Sequence, residues 1–421
     1  MPPTVSRPGG RTASAVAALA ASAVLISGCA STASTAPAPS AAAPSGRGSV
    51  AVTGPAVFDA SRVHSIALDL DPDDLAAVVQ TYRATGDKEW VHAAVTIDGR
   101  TFADVGLRLK GNATLRDVDV DSDPAQVGWL IDLDHFVDGQ VLDGYTRFAV
   151  RSDTNETALN EAVALDLLER AGLAGEHAVS TRFSVNGGSE VLRLVVQDLD
   201  DTWDEETFEG DGVLYKAEAG GDYSYRGEDP ASYVDVFDQE TDEDDEQMGP
   251  LIEFLRFLAE ADDAEFAAEL ADHLDVASFA TYLAFEQLVA NRDDIEGGGN
   301  NSYLRYDEAT GRFTVVAWDH NSAFGGGLGP GGRPGAGGPA GGRGAESSRT
   351  NVLVQRFSAD AGFQALVDQA YIDLRASLYG SGAAQQVLDT WVDVLSGQAA
   401  DVVDAGTIRS EAADVASYFP G

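Results

Sequence analysis

A single cysteine, Cys29, excludes any internal disulfide. Cations are scarce as well: 27 Lys and Arg stand against 69 Asp and Glu, a formal net charge of -42. That excess argues against nucleic-acid binding and against docking on an anionic membrane through bulk electrostatics, since both need a basic face. No nucleic-acid partner is expected, and solubility in a salty or extracytoplasmic setting accounts for the acidity more simply than a specific basic partner. Internal repeats are absent, and no apolar run is long enough for a permanent transmembrane helix. The hydrophobic fraction is an ordinary 44%. The 421 residues can therefore build a substantial core, more than one average domain in length and compatible with a two-lobed unit plus a tail.

The lone cysteine has a context. Arg7 and Arg11 precede an apolar run over residues 15–26, which is followed by Ser27, Gly28 and Cys29. A basic segment, a short apolar segment and small residues before a cysteine form the layout of a secretory signal. The segment resembles a bacterial lipoprotein signal, which implies cleavage before Cys29, lipidation of its thiol and a lipid anchor to the membrane outside the cytoplasm. Residues 30–54 are Ser, Thr, Ala and Pro with almost no charge, a composition that cannot bury enough surface to fold and that reads as a tether. The expected organisation is a signal over 1–28, a tether over 29–54 and one folded unit over 55–421.

Within the folded part, residues 64–70 alternate as a strand does, and Pro72-Asp73-Asp74-Leu75 starts a helix with acids in its first turn. Residues 91–97, the turn Asp98-Gly99 and residues 101–109 predict a hairpin. Its second strand runs into Arg108-Leu109-Lys110-Gly111-Asn112-Ala113-Thr114. Cationic side chains followed by Gly and small polar residues would hold a phosphate, although basic residues on a strand also form ordinary solvated faces. Residues 128–134 and 145–151 predict two more strands, and residues 156–171 a helix with the stripe Leu159, Val163, Leu167 and Leu168. Glu161 lies off that stripe, either as a surface acid or as one that positions a Lys or Arg near phosphates.

The clearest hairpin follows, over residues 179–185, the turn Asn186-Gly187-Gly188 and residues 190–196. Residues 212–217 form a short strand carrying Lys216. Seven of the nine residues over 238–246 are acidic, the mark of a solvated loop, and EF-hand spacing is absent. Helices are expected over 251–258, 266–274 and 276–290, and again over 352–357, 361–379, 383–403 and 407–418. The glycine-rich run over 325–344 lacks P-loop spacing and reads as a loop or lid.

Residues 291–325 carry the chemistry. Asp293 and Asp294 end an apolar helical run, Asn300 and Asn301 follow a glycine triplet, and residues 302–306 and 312–318 predict strands joined around Thr310-Gly311. Asp319 and Asn321 stand directly after the second strand. Two carboxylates and the intervening amides form a cradle for a divalent cation carrying phosphates, and hard oxygen ligands suit Mg²⁺ or Mn²⁺. Asp294 reads as a helix-end or solvent acid, Trp318 as a core anchor and His320 as a surface histidine or one lying behind the ligands. The pair Asp293 and Asp319 would also serve a sugar- or wall-acting hydrolase, given a suitable separation.

Taken in order, these pieces resemble the CotH kinase family, named for a bacterial spore-coat protein. The likeness covers residues 57–418. It rests on Val105-Gly106-Leu107-Arg108-Leu109-Lys110-Gly111-Asn112, Leu159-Asn160-Glu161-Ala162, the Asn186-Gly187 turn and Leu214-Tyr215-Lys216. It also rests on Asn291-Arg292-Asp293, on Asn301 with Tyr303-Leu304, and on Trp318-Asp319 with Phe324-Gly325. The resemblance implies an α+β, atypical protein-kinase-like two-lobed fold, with a mainly antiparallel sheet N-lobe over 55–200 and a helical C-lobe over 201–421. It implies ATP-dependent phosphotransfer, with Mg²⁺ or Mn²⁺, to Ser or Thr of an extracytoplasmic protein substrate.

Asp293 would be the catalytic aspartate that orients the acceptor hydroxyl, in a tripeptide similar to the His-Arg-Asp of kinase catalytic loops. Asp319 would hold the metal, with Asn301 and Asn321 as amide ligands; many members carry an aspartate where Asn321 stands. Arg108, Lys110, Asn112 and Lys216 would face the nucleotide phosphates, and Glu161 would pair a cation. Residues 128–132 contain no lysine where the family has one, so which cation faces ATP stays open. Gln197 stands where members often have Glu. The rival reading is a cell-surface binding or scaffold lipoprotein that retains the fold without catalysis.

Overall fold

The computed structural model describes residues 56–111, 113–152, 155–218, 220–242, 245–297, 300–326 and 351–419. Cys29, the signal and tether over 1–54, Asn112 and residues 327–344 of the glycine-rich run lie outside the described residues. Among the described residues no helix is long and apolar enough to cross a membrane.

Seven strands close on one another. In chain order the elements are β1 (His64–Asp69), α1 (Pro72–Thr85), β2 (Val91–Ile97), β3 (Arg100–Leu109), β4 (Trp129–Asp132), β5 (Arg147–Val150), α2 (Leu159–Arg170), β6 (Ala178–Val185) and β7 (Val191–Gln197). The order around the barrel is β1-β2-β3-β4-β5-β7-β6. β6 returns to pair in parallel with β1, Ile66 opposite Phe183, and every other neighbour is antiparallel. Closure leaves no strand edge unpaired. Ile66, Leu68, Val95, Ile97, Phe148 and Phe183 are buried in one cluster. The residues between them on β1 and β2 are more exposed, as a period of two requires.

β4, β5 and β7 are buried almost without alternation. Their second face is covered as well: Leu130, Ala149, Leu194 and Val196 belong to the same core as Leu159, Val163 and Leu167 of α2. This is why Glu161, which looked free to face water, is buried inside a helix whose residues 159–165 are all buried.

The rest of the chain comprises α3 (Asp201–Thr207), β8 (Gly212–Ala217), β9 (Phe237–Gln239), α4 (Met248–Glu260), α5 (Asp263–His273), α6 (Val276–Leu288), β10 (Ser302–Asp307), β11 (Arg312–Ala317), α7 (Val352–Ala359), α8 (Ala361–Leu374), α9 (Ala383–Gln398) and α10 (Ala405–Ala416). The four strands form a second, antiparallel sheet in the order β11-β10-β8-β9. Val213, Tyr215, Leu304, Val315 and Ala317 face the large core that the helices complete. Leu214, Tyr303 and Val316 face the other way and join Trp318, Leu199 and Trp203 in a small separate cluster.

The two-lobed kinase-like arrangement does not describe this molecule. The first seven strands form a closed barrel, where a mainly antiparallel sheet lobe was expected, and the expected helical lobe contributes a four-stranded sheet besides its helices. Antiparallel hairpins are visible in a sequence, but the parallel return of β6 to β1 that shuts the barrel is a long-range pairing with no local signal. The acidic stretch over 238–246 also departs from a wholly solvated loop. It begins in β9, Thr241 is buried, and its hydroxyl accepts the Leu214 N–H at 2.9 Å. Asp238 sits opposite Lys216 in the sheet register, so a cation faces the acid run from the next strand.

Candidate functional site

The ends of β3 and β5 approach the end of β11 at Trp318. Its indole is 8% exposed. The Lys110 ammonium lies 5.2 Å and the Arg151 guanidinium 5.4 Å from the ring centroid, within the range where a cation is attracted to the ring face.

Arg151, the residue directly after β5, is the hub. Its backbone N–H donates to Leu194 at 2.9 Å, which fixes it to β7. Its side chain donates to Glu161 through Nε at 3.1 Å and Nη2 at 2.5 Å, and Nη2 also donates to Asp319 Oδ1. Glu161 is wholly buried, and Arg151 nearly so, whereas the Asp319 side chain keeps 24% of its surface. A buried carboxylate thus aims a fork-shaped cation at a second carboxylate that still meets solvent. Of the alternatives for Glu161, the surface acid is excluded, and the cation it pairs is Arg151, which was not among the expected residues.

The start of α2 is held from outside. Glu411 of α10 accepts the N–H groups of Glu156 at 3.0 Å and Thr157 at 2.9 Å. Asn160, next to Glu161, donates to the Asn321 carbonyl at 2.6 Å and accepts from Asn155 at 2.6 Å. The Leu-Asn-Glu-Ala motif therefore does two jobs. Asn160 pins the backbone after Asp319, and Glu161 orients the cation in front of it. A Cβ at Gly326 would collide with the Asn321 carbonyl and the Asn160 amide, so only glycine fits there. Asp319 itself has φ 60° and ψ 68°, a left-handed backbone that Asp tolerates better than most residues.

The expected cations line the same place. Lys110 pairs with Asp198 at 2.8 Å and Lys216 with Glu218 at 2.7 Å, with Glu240 3.9 Å away. Burial opposes the charge on Lys216, but Glu240 and Glu218 outweigh it and hold its pKa above the ordinary value. Burial also pushes at Asp198, and Lys110 more than offsets it, holding that carboxyl below the usual range. Arg108 stacks its guanidinium 4.7 Å from the Trp90 ring centroid. Lys88, absent from the expected set, stands within the field of this group. Its pKa falls to about 8, first through burial and then through Lys216, Lys110 and Arg108.

The loop carrying Asp293 is tied to the Asp319 segment at both ends. Val289, just past α6, accepts the Phe324 N–H at 2.7 Å. At the far end Ser302 pairs with Ala317, which brings Asn301 to the same end of the hairpin as Trp318 and Asp319. Asn291 is buried and its side chain accepts the Asp293 N–H at 3.2 Å. Asp293 is half-buried, while Asp294 is buried, lies beyond the end of α6 and accepts the Glu296 N–H at 2.9 Å, so Asp294 is a turn-forming residue and not the helix-end or solvent acid expected. Asn300 is buried between Gly221 and Asn351. Asn301 and Asn321 stay half-buried, and Asn321 Oδ1 accepts the Ser322 hydroxyl at 3.2 Å.

Behind Asp319 lies a buried polar group. His320, read as a surface histidine or one lying behind the ligands, is fully buried, which excludes the first, and its Nε2 lies 3.1 Å from Glu286. Burial disfavours its charge, but Glu286 and then Glu176 overcome this and raise its pKa to about 9. Burial pushes Glu176 up to about 7 against the pull of His320 and Arg151. Elsewhere burial likewise raises Glu240 to about 7 and Asp166 and Asp200 to about 6.

These four acids have a consequence for stability. Each holds its proton more tightly folded than unfolded, so each contributes stability at low pH that is lost as pH rises from the ordinary carboxyl value through its raised one. Asp98, Asp198 and Glu218 are held low and act in the opposite sense, losing their contribution as the medium becomes more acid. Thermal melts should therefore give a higher midpoint near about pH 5.5 than at about pH 8. A midpoint that climbs steadily over that interval would contradict the burial of these carboxyls.

A family model described as CotH kinase protein matches residues 107–400, which is most of the chain and includes every site residue named above except Lys88, Trp90 and Glu411. No curated protein matches the chain.

Proposed function

This chain belongs to the CotH kinase family, and from that membership and the geometry around Trp318 we propose that it transfers the γ-phosphate of ATP to serine or threonine of a protein substrate. The observation that carries the proposal is electrostatic. In a chain of net charge -42, Lys88, Arg108, Lys110, Arg151 and Lys216 gather at the end of the hairpin that bears Asp319. Such a concentration suits a polyanion.

The donor set fits a metal carried in with phosphates. Among the described residues no three His, Cys, Asp or Glu side chains come together as a cage. Asp319 offers one carboxylate, and Asn301 and Asn321 offer amide oxygens. Mg²⁺ at nucleotide sites takes one or two carboxylates and fills its remaining positions with phosphate oxygens and water. ATP with its metal would supply the phosphoryl group. Arg151, held by Glu161, would neutralise phosphate oxygens from the strand end, the place for which residues 128–132 have no lysine. Lys110 and Lys216 would do so from the barrel and the second sheet. Asp293 would accept the hydrogen bond of the attacking hydroxyl and keep its oxygen in line.

The purified chain, incubated with γ-labelled ATP and Mg²⁺ or Mn²⁺, should label serine or threonine in itself or in an acceptor protein. ATP with metal should raise its melting temperature, because a ligand of the folded state stabilises it. Neither effect with either metal would overturn the proposal and leave the scaffold reading. The proposal extends to location: a lipid on Cys29 would hold the chain outside the cytoplasm. Cells fed a labelled fatty acid should label the parent chain and not Cys29→Ser; equal labelling would remove the anchor from the proposal.

A further inference from the structure

The chain has only three lysines, Lys88, Lys110 and Lys216, and all three meet at this site. Lys110 directly follows β3, Lys216 lies in β8, and each has a carboxylate partner. Lys88 comes from the segment between α1 and β2. Val91 faces Leu107 and His92 faces Gly106; continued backwards, that register sets Trp90 beside Arg108 and Lys88 beside Lys110. The first of these is observed, since Arg108 stacks on Trp90. Among the described residues Lys88 makes neither an ion pair nor a hydrogen bond of its own; Lys216, Lys110 and Arg108 repel its charge, and Glu218, already paired with Lys216, attracts it more weakly.

Gathering like charges costs free energy, and a chain with 69 carboxylates offers many places where a lysine would be paired instead. A ligand with several negative charges offsets that cost. We propose that Lys88 is a third phosphate-contacting lysine, supplied from outside the stretch matched by the family model, and that with Lys110 and Lys216 it selects a polyphosphate over a monophosphate. This rests on the kinase reading and names the part of the nucleotide that the cluster holds. The lowered pKa of Lys88, about 8, adds a chemical handle. Near neutral pH more of its amine is uncharged than in an ordinary lysine, and the uncharged amine is the form that acylates.

The test is lysine footprinting of the full chain with an acetylating N-hydroxysuccinimide ester, read by peptide mass spectrometry. Without ligand, Lys88 is expected to acetylate fastest of the three. ATP with Mg²⁺, or inorganic triphosphate, should slow all three, and AMP should leave Lys88 at its ligand-free rate. Protection of Lys110 and Lys216 with Lys88 unprotected overturns the role of Lys88 and leaves the kinase reading standing. Protection of none of the three overturns both. Independently, Lys88→Met should weaken ATP binding about tenfold with a ligand-free melting temperature no lower than the parent's, since a repelled charge is removed, and Lys88→Arg should recover most of the binding. An unchanged affinity in Lys88→Met also overturns the assignment.

Discussion

Asp319→Asn is expected to lower phosphotransfer by about a thousandfold or more while leaving the ligand-free fold close to that of the parent. The structure gives both halves of this expectation. The Asp319 side chain is 24% exposed and is the solvent-facing end of the Glu161–Arg151–Asp319 line. Removing its charge leaves Arg151 still held by Glu161 at 2.5 and 3.1 Å, so the buried carboxylate keeps its guanidinium. Asparagine also tolerates the left-handed backbone found at this position, φ 60°. What the substitution removes is the carboxylate at the same hairpin end as Asn301 and Asn321, and with it negative charge that a metal would need. The metal-dependent part of the ATP thermal shift should go with the activity. Asp293→Asn should behave differently, keeping that shift and losing transfer by a similar factor, because its role is to orient the acceptor hydroxyl. If both variants lose nucleotide binding together, the division of labour between the two aspartates is wrong.

What the sequence made legible was local. Asp98-Gly99 and Asn186-Gly187 announce tight hairpins, and all four residues adopt positive φ. Short motifs also led to residues that the fold brings together: Lys110 and Lys216 on different sheets, Glu161 on α2 and Asp319 after β11. The missing links were those set by pairing over long distances. Arg151 lies at the end of an expected strand and carries no motif; its importance comes from β5 lying beside β7 while α2 packs across both. For Lys88 the sequence signal is the scarcity of lysine itself. Glu161 allows a surface reading because a stripe of large apolar side chains understates burial. Small residues such as Ala162 and Ala164 let α2 sink in on every side, and buried polar groups find partners that no periodicity reveals, as His320 does in Glu286. Barrel closure escaped for the same reason.

The Arg151–Glu161 pair offers the sharpest separation of structure from chemistry. Arg151→Met removes the bidentate partner of a carboxylate that is wholly buried, and should cost about 3–5 kcal/mol in urea unfolding. Phosphotransfer would then be lost for two mixed reasons, a weakened fold and a missing cation. The double variant Arg151→Met/Glu161→Leu unmixes them. Two apolar side chains of similar volume remove both buried charges together and should recover most of the lost stability. Activity should not return, because Asp319 has lost the guanidinium that aims it and the phosphates have lost a cation. Arg151→Lys should fall between, since a point-like ammonium cannot serve Glu161 bidentately and reach Asp319 as well. A double variant that is both stable and active would reduce the pair to a packing device, and the chemistry would then have to rest on Lys88, Lys110 and Lys216 alone.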